Sequence, residues 1–355
     1  MSLRLILLAG SIFLAAASSA GAACSPDLPL QSSTVPSLPG RAVYQGVVDN
    51  GTTHIYLFDF STHMQTDLSW NWNVINPMNP AFSPDGKKIV FYACAALDAQ
   101  NQCTKYDVYI WMLETKALYN ITTGFSGRFE DPKWMPDGKG LILKQDGNIA
   151  LLSVGFDASN HPTLSSAPQA LTSGGTVGNA QTESWAPSVS PDSKYVYYTQ
   201  GVLNPKVVNS TSQVYRLIIA SKHKDPFSVN GSYAYYPVAR DLTTVLYSGW
   251  MMPAWSGTME EKQPDQVMEQ VPTILGTNKY IVLSANECKT DNSDPAAVDS
   301  DFYLFSSDSQ KLSSGGKYRP VLALLAGPFA WDLSRIGLGA GIVGDIKGLN
   351  YTVAR

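Results

Sequence analysis

NPAFSPDGKKIVFYA, residues 79–93, is the stretch whose reading decides the fold. It joins an apolar approach through Pro80 to a turn, Pro84-Asp85-Gly86, then a Lys and an alternating apolar run. Asp and Gly supply turn conformations, and the period of two after the Lys buries one face of a returning strand, so the stretch is a β-hairpin. The same grammar recurs as EDPKWMPDGKGLILK at 130–144 and WAPSVSPDSKYVYYT at 185–199. With the turn Asp as anchor, looser copies follow around Asp241, Asn278 and Asp332, and the weakest stands at Pro39-Gly40-Arg41. Repetition at roughly fifty residues marks a modular architecture and not a single irregular core.

Two further elements follow the hairpins. One is an apolar-Tyr-apolar strand: His54 to Phe58, Asp107 to Trp111, Gln213 to Leu217 and Asp301 to Phe305, with looser versions from Gly147 and Asn350. The other is a short strand ending in Leu-Thr or a relative: 66–69, 119–122 and 169–172. Hairpin, third strand and fourth strand make one four-stranded blade. Blades of this size arranged radially give an all-β fold, a β-propeller. Seven anchors favour seven blades, with six as the alternative. Residues 39–355 are assigned to the propeller and 23–38 to an N-terminal arm that supplies a closing strand, because the chain is read as ending on a third strand.

FSPDGKKIVF (82–91), followed by DVYIWML (107–113) and LYNIT (118–122), resembles the repeat of the TolB-like propellers. The resemblance is sharp from about residue 79 to 200. It implies the fold, and only weakly a function, because the relatives include protein-binding platforms, peptidase propeller domains and polysaccharide lyases. The helical N-terminal domain of the Tol-system protein has no counterpart in the sequence, so a bare propeller is expected.

Composition agrees. Tyr (18), Trp (8), Gly (28) and Pro (22) are plentiful, the profile of a turn-rich all-β chain. Lys and Arg number 25 against 29 Asp and Glu, net −4, with no basic run, which excludes a phosphate-neutralising nucleic-acid surface. Residues 1–22 have the layout of a secretory signal: Arg4, an apolar stretch from Leu5 to Ala17, then Ala20-Gly21-Ala22 before the first Cys. A secreted or periplasmic monomer with no membrane span is expected, lipidation of Cys24 being the alternative. Of four cysteines, Cys94 and Cys103 flank a short loop between two strands and are expected to pair, leaving Cys24 with Cys288.

The loops that enter each blade, together with those joining second to third strands, share one face. There the sequence places Trp70 and Trp72, Arg128 with Glu130 and Asp131, Glu183 with Trp185, and Tyr235 with Tyr236. Flat aromatic faces beside a few charges suit a glycan or a protein ligand. Trp70 and Trp72, in a polar loop, are expected to be exposed, whereas Trp185 and Tyr236 can equally pack between blades, and the Arg128 group can serve as an ion pair bracing neighbours. No nucleophile elbow, zinc motif or phosphate loop occurs. An enzyme reading is confined to carbohydrate chemistry: Glu130, Asp131 and Glu183 as the acids and Arg128 as a carboxylate clamp. No cofactor is expected. The run Asp291-Asn292-Ser293-Asp294 with Asp299 and Asp301 offers oxygen ligands for calcium but lacks any established loop spacing.

Overall fold

In a computed structural model, the described residues are 39–48, 51–179, 181–201, 212–227 and the strands beyond them. Among these there is no helix, and the strands form six antiparallel sheets. Blade 1 contains β1 (Arg41–Val47), β2 (Thr53–Asp59) and β3 (Met64–Asp67). Blade 2 is β4 (Ile75–Phe82), β5 (Lys88–Leu97), β6 (Cys103–Met112) and β7 (Ala117–Asn120). Blade 3 is β8 (Phe129–Trp134), β9 (Gly140–Gln145) and β10 (Asn148–Phe156), with β11 (Pro162–Leu164) and β12 (Gln169–Ala170) both pairing with β10. Blade 4 is β13 (Ser184–Val189), β14 (Tyr195–Gln200), β15 (Gln213–Ile218) and β16 (Lys224–Pro226). A fifth sheet pairs β17 (Ser232–Ala239) with β18 (Val245–Met251); a sixth orders β19 (Thr273–Leu275), β20 (Tyr280–Cys288), β21 (Val298–Ser306) and β22 (Ala330–Asp332).

The last strand, β23 (Ile346–Thr352), closes the ring by pairing antiparallel with β1, as Ala42↔Tyr351 and Val43↔Asn350. This corrects the reading of Asn350 onward as a third strand: it is the first strand of blade 1. The Asp332 anchor likewise lies in β22, which adds to β21, and not in a hairpin turn. Residues 23–38, proposed as a closing arm, lie outside the described residues, as do Cys24 and the 291–294 run. The stretches that bear on six or seven blades also lie there.

The hairpin turns follow the sequence logic closely. Asp85 Oδ1 accepts from Ser83 Oγ at 2.5 Å and from the Lys87 amide at 3.0 Å, and Gly86 takes the left-handed φ of 65° that closes the turn. Asp137 and Asp192 repeat this cap on Lys139 and Lys194. The short Leu-Thr element is also explained. Ile55, Val108 and Ile149 on the third strands donate their amides, each at 2.9 Å, to the hydroxyls of Ser69, Thr122 and Thr172. A hydroxyl just past the fourth strand thus ties it to the third. Asp107, buried, accepts from the Thr122 hydroxyl at 3.1 Å, a structural role.

Second strands are apolar on both faces because each is sandwiched between blades. Ile89, Phe91 and Ala93 pack with Val43 and Ile55 of blade 1, while Val90 packs with Phe129, Leu141 and Leu143 of blade 3. Trp111 and Trp134, both within strands, are buried. Full burial of such side chains contributes roughly 1.5–3 kcal/mol each, so blade-to-blade packing holds the ring.

First strands carry a repeated irregularity. Asn79, Asp131, Ala186 and Tyr236 each precede a Pro and each adopt a left-handed φ, of 49°, 51°, 48° and 53°. The register shifts at the same place in β4, β8, β13 and β17. A bulge that ends in Pro is tolerated because the other edge of a first strand has no ladder partner.

Candidate functional site

The bulges are where one blade grips the next, and they organise the candidate residues. The Gln45 Oε1 on β1 accepts the Asn79 amide at 2.8 Å, and the Thr199 Oγ1 on β14 accepts the Tyr236 amide at 3.1 Å. In the register, Gln45, Tyr92, Lys144 and Thr199 occupy equivalent positions on the four second strands. Lys144 has no lone pair to offer while charged. Asp131 takes over, accepting the Ala186 amide on Oδ2 at 3.1 Å and the Asn79 Nδ2 on Oδ1 at 2.6 Å. Asp131 therefore joins blades 2, 3 and 4.

Lys144 instead sits between two acids. Its Nζ is 2.9 Å from Glu130 Oε2 and 2.5 Å from Glu183 Oε1, and all three residues are under a tenth exposed. Arg128 completes the group, donating from Nη2 to Glu130 Oε1 at 2.8 Å while its guanidinium lies 4.3 Å over the Tyr106 ring. Glu183 Oε2 accepts the Gly178 amide at 2.7 Å. Tyr106 in turn meets Tyr92 edge-on at 5.5 Å.

The electrostatics follow from this enclosure. Burial pushes the Glu130 carboxyl up, but the Arg128 hydrogen bond and the Lys144 charge outweigh it and hold the group below the usual carboxylate range. Burial pulls Lys144 down, yet Glu130 and Asp131 more than restore it, so it stays charged. Burial drives the Tyr92 phenol well up, and the Asp131 and Glu130 charges add to that. A glycosidase acid needs a raised pKa; Glu130 has the reverse. Glu130 and Glu183 each have both oxygens engaged by Arg128, Lys144 or a backbone amide, and neither is exposed. Three sequence-selected acids and Arg128 are thus brought together, as an interblade brace.

The aromatic candidates divide. Trp70 is 72 % exposed, as expected of its loop. Trp72 is not: it is half-buried, 4.8 Å from Phe91 and 4.9 Å from Trp111, because the apolar surface at the end of blade 2 offers a stacking site within reach of the loop. Trp185 packs edge-on against Tyr236 at 5.0 Å and donates to the Gly201 carbonyl at 2.7 Å, so it joins blade 4 to the fifth sheet. Tyr235 pairs with Ser248 in the β17–β18 ladder. Cys94 and Cys103 form the expected disulfide across the β5–β6 loop, on the same face as Trp70. Cys288 ends β20, and its proposed link to Cys24 falls outside the described residues.

Sequence reasoning missed Lys144, Tyr92 and Tyr106. The signal was present, since Lys144 breaks an apolar run at the place where Tyr92 and Thr199 stand in the sister repeats. Besides Trp70, the exposed large apolar residues Ile75, Leu97 and Val177 lie at strand ends or loops of this face. Among the described residues no helix is long and apolar enough to cross a membrane, and no group of three His, Cys, Asp or Glu is placed to hold a metal.

No family model matches the chain, and no curated protein does. Solved structures do. TolB from Acinetobacter baumannii is similar over 89 % of this chain and 67 % of its own, at 15 % identity and a TM-score of 0.51. A putative TolB from Agrobacterium tumefaciens covers 84 % of this chain and 91 % of its own, at 14 % identity and TM-score 0.47. An oligogalacturonate lyase from Vibrio parahaemolyticus covers 79 % of this chain and 86 % of its own at 10 % identity and TM-score 0.39, too distant to bear on chemistry. The fold is that of a TolB-like β-propeller.

Proposed function

We propose that this TolB-like propeller is a non-catalytic binding platform whose partner is a protein docking on the face that carries Trp70. One observation carries the reading. The acids and cations that a carbohydrate enzyme would use are bonded to each other and to backbone amides, while Trp70, Ile75, Leu97 and Val177 are exposed on that face. Aliphatic groups on the same face as one Trp favour a protein surface over a sugar, which asks for paired aromatic planes and free hydrogen-bonding groups. The disulfide fits an oxidising compartment, and with the signal-like residues 1–22 it supports export to the periplasm or medium.

The test pairs wild type with Trp70→Ala/Leu97→Ser in affinity capture from the exporting cell's envelope and medium, beside a glycan array and a polysaccharide panel. A protein retained by wild type and lost from the variant is the expected result. Array binding abolished by the same variant would replace the protein partner by a glycan. Turnover of a polysaccharide, lost in Glu130→Gln, would overturn the platform reading in favour of an enzyme.

A further inference from the structure

One position on the third strands differs in chemistry from blade to blade. It lies one residue before Ile55, Val108, Ile149 and Val214, and holds His54, Asp107, Asn148 and Gln213. By register these face Gly46, Ala93, Gln145 and Gln200 on the second strands. The matching fourth-strand residues are Asp67, Asn120, Ala170 and Pro226. Blade 2 joins its couple through a neutral amide, Asn120 Nδ2 donating to buried Asp107 at 2.9 Å. Blade 1 inverts the arrangement. There the imidazole is on the third strand and the carboxylate on the fourth, with His54 Nδ1 2.6 Å from Asp67 Oδ2 and both side chains half-buried. Among the four blades, only this couple contains a side chain of the type that titrates near neutral pH.

Asp67 also carries the turn that presents Trp70. Its Oδ1 accepts the Ser69 amide at 2.9 Å and the Ser69 hydroxyl at 3.2 Å. The Ser69 carbonyl accepts the Trp72 amide at 3.0 Å, which closes a β-turn with Trp70 and Asn71 at its corners. Trp72 is fixed on Phe91 and Trp111, so the turn hangs between two anchors, and His54 holds the first of them. Blade 2 repeats the turn with an uncharged anchor. Asn120 Oδ1 accepts the Thr122 amide at 3.1 Å, and the Thr122 carbonyl accepts the Phe125 amide at 2.9 Å.

Among the described residues, the groups facing His54 are few. Gly46 opposes it on β1 and offers no side chain. Tyr56, on its own strand, stacks on the imidazole at 6.4 Å; burial and then the Asp67 charge push that phenol up to about 12. Tyr56 therefore stays neutral where an imidazole titrates. From β4, Asn76 Oδ1 accepts the neighbouring Thr53 amide at 3.1 Å and carries no charge. Asp49, in the turn before β2, lies outside the described residues.

We propose that His54 and Asp67 form a pH-sensitive latch that tightens the Trp70 turn as the pH falls, and so strengthens docking on this face. The docking half rests on the proposed binding function; the latch itself does not. With a neutral imidazole the bond has one charged partner, and with an imidazolium it has two. Charge on both sides strengthens a hydrogen bond. A firmer Asp67 holds Ser69 in place, and a pre-ordered Trp70 loses less freedom when a partner covers it.

Amide hydrogen exchange in the 15N-labelled wild type, corrected for its intrinsic pH dependence, reads the latch. From about pH 8 to about pH 5.5, protection of the Ser69 and Trp72 amides is expected to rise about two- to fivefold, the range of a partly exposed ion pair. The Thr122 and Phe125 amides of the sister turn should stay unchanged. His54→Asn keeps a donor for Asp67 without the titration, as Asn120 does for Asp107, and should abolish the rise. Ser69 and Trp72 protection that changes no more than that of Thr122 and Phe125 overturns the proposal, as does a full response in His54→Asn. The comparison of the two turns is made within the wild type, so it decides the matter even if the variant fails to fold. For docking, the protein captured by wild type should be retained more strongly at the lower pH, and equally at both by His54→Asn. Equal retention by wild type would overturn the docking half. Responsive amides with no protein captured at either pH would strike the binding-platform reading and leave the latch standing.

Discussion

Lys144 shows how far a single side chain can determine the chemistry around it. It stands where Gln45 and Thr199 receive a neighbour's amide, and its charge forces that duty onto Asp131 while drawing Glu130 and Glu183 inward. Removing it strands two buried carboxylates. Lys144→Met is expected to cost about 3–5 kcal/mol in urea unfolding. Adding Glu130→Gln and Glu183→Gln to it should recover a large part of that loss, since neutral amides tolerate burial better. Thr122→Val, which leaves the Val108 amide and buried Asp107 short of a partner, is expected to cost roughly 1–3 kcal/mol in the same measurement. Asp85 gives a pH signature. Burial raises its pKa, but the Lys88 and Ser83 hydrogen bonds prevail and bring it to about 2 from an ordinary value of 3.8. A depressed carboxylate contributes stability above its unfolded pKa and loses it as the pH falls through the folded one. Urea midpoints of the wild type should therefore fall more between pH 4 and about 2 than those of Asp85→Asn.

At the level of strands and turns, the sequence was most legible where local chemistry and burial agree. The Pro-Asp-Gly turns, the period-two second strands and the Cys94–Cys103 pair all follow from neighbours in sequence. Legibility failed where the partner is distant. Trp72 sits in a polar loop but finds Phe91 and Trp111, and only the folded blade brings them together. Asn350 begins an aromatic strand of the third-strand type, yet pairing with Val43 makes it a first strand. Among the site residues, the grouping of Arg128, Glu130, Asp131 and Glu183 was visible, whereas the cation that binds them needed the register of β9 against its sister strands. The disulfide closes a short loop, with a sequence separation of 9, so the Cys94→Ser/Cys103→Ser variant is expected to lose about 2–3 kcal/mol in urea unfolding.

Across the whole molecule, stability is shared along a chain of interblade interfaces, from the Phe91 cluster to the Tyr197 cluster. Each blade is covered only by its neighbours, so the ring is expected to unfold as a unit. Deleting residues 346–355 uncovers the inner edge of β1 and the Phe82 amide together. The expected outcome is loss of the cooperative thermal transition by circular dichroism and a shift to larger species on size exclusion.

The pairing of β1 with β23 also sets a timetable. Tyr351 donates its hydroxyl to the Pro39 carbonyl across 312 residues of sequence, and Ala42 faces Tyr351 in the ladder. Closing so long a loop is slow and costs chain entropy before any contact repays it. Blades 2 to 4, whose hairpins are local, can assemble while synthesis or translocation is still under way, but blade 1 must wait for β23 to arrive. Until then β1 presents a bare apolar strand, and that interval is when the chain most needs a chaperone's cover.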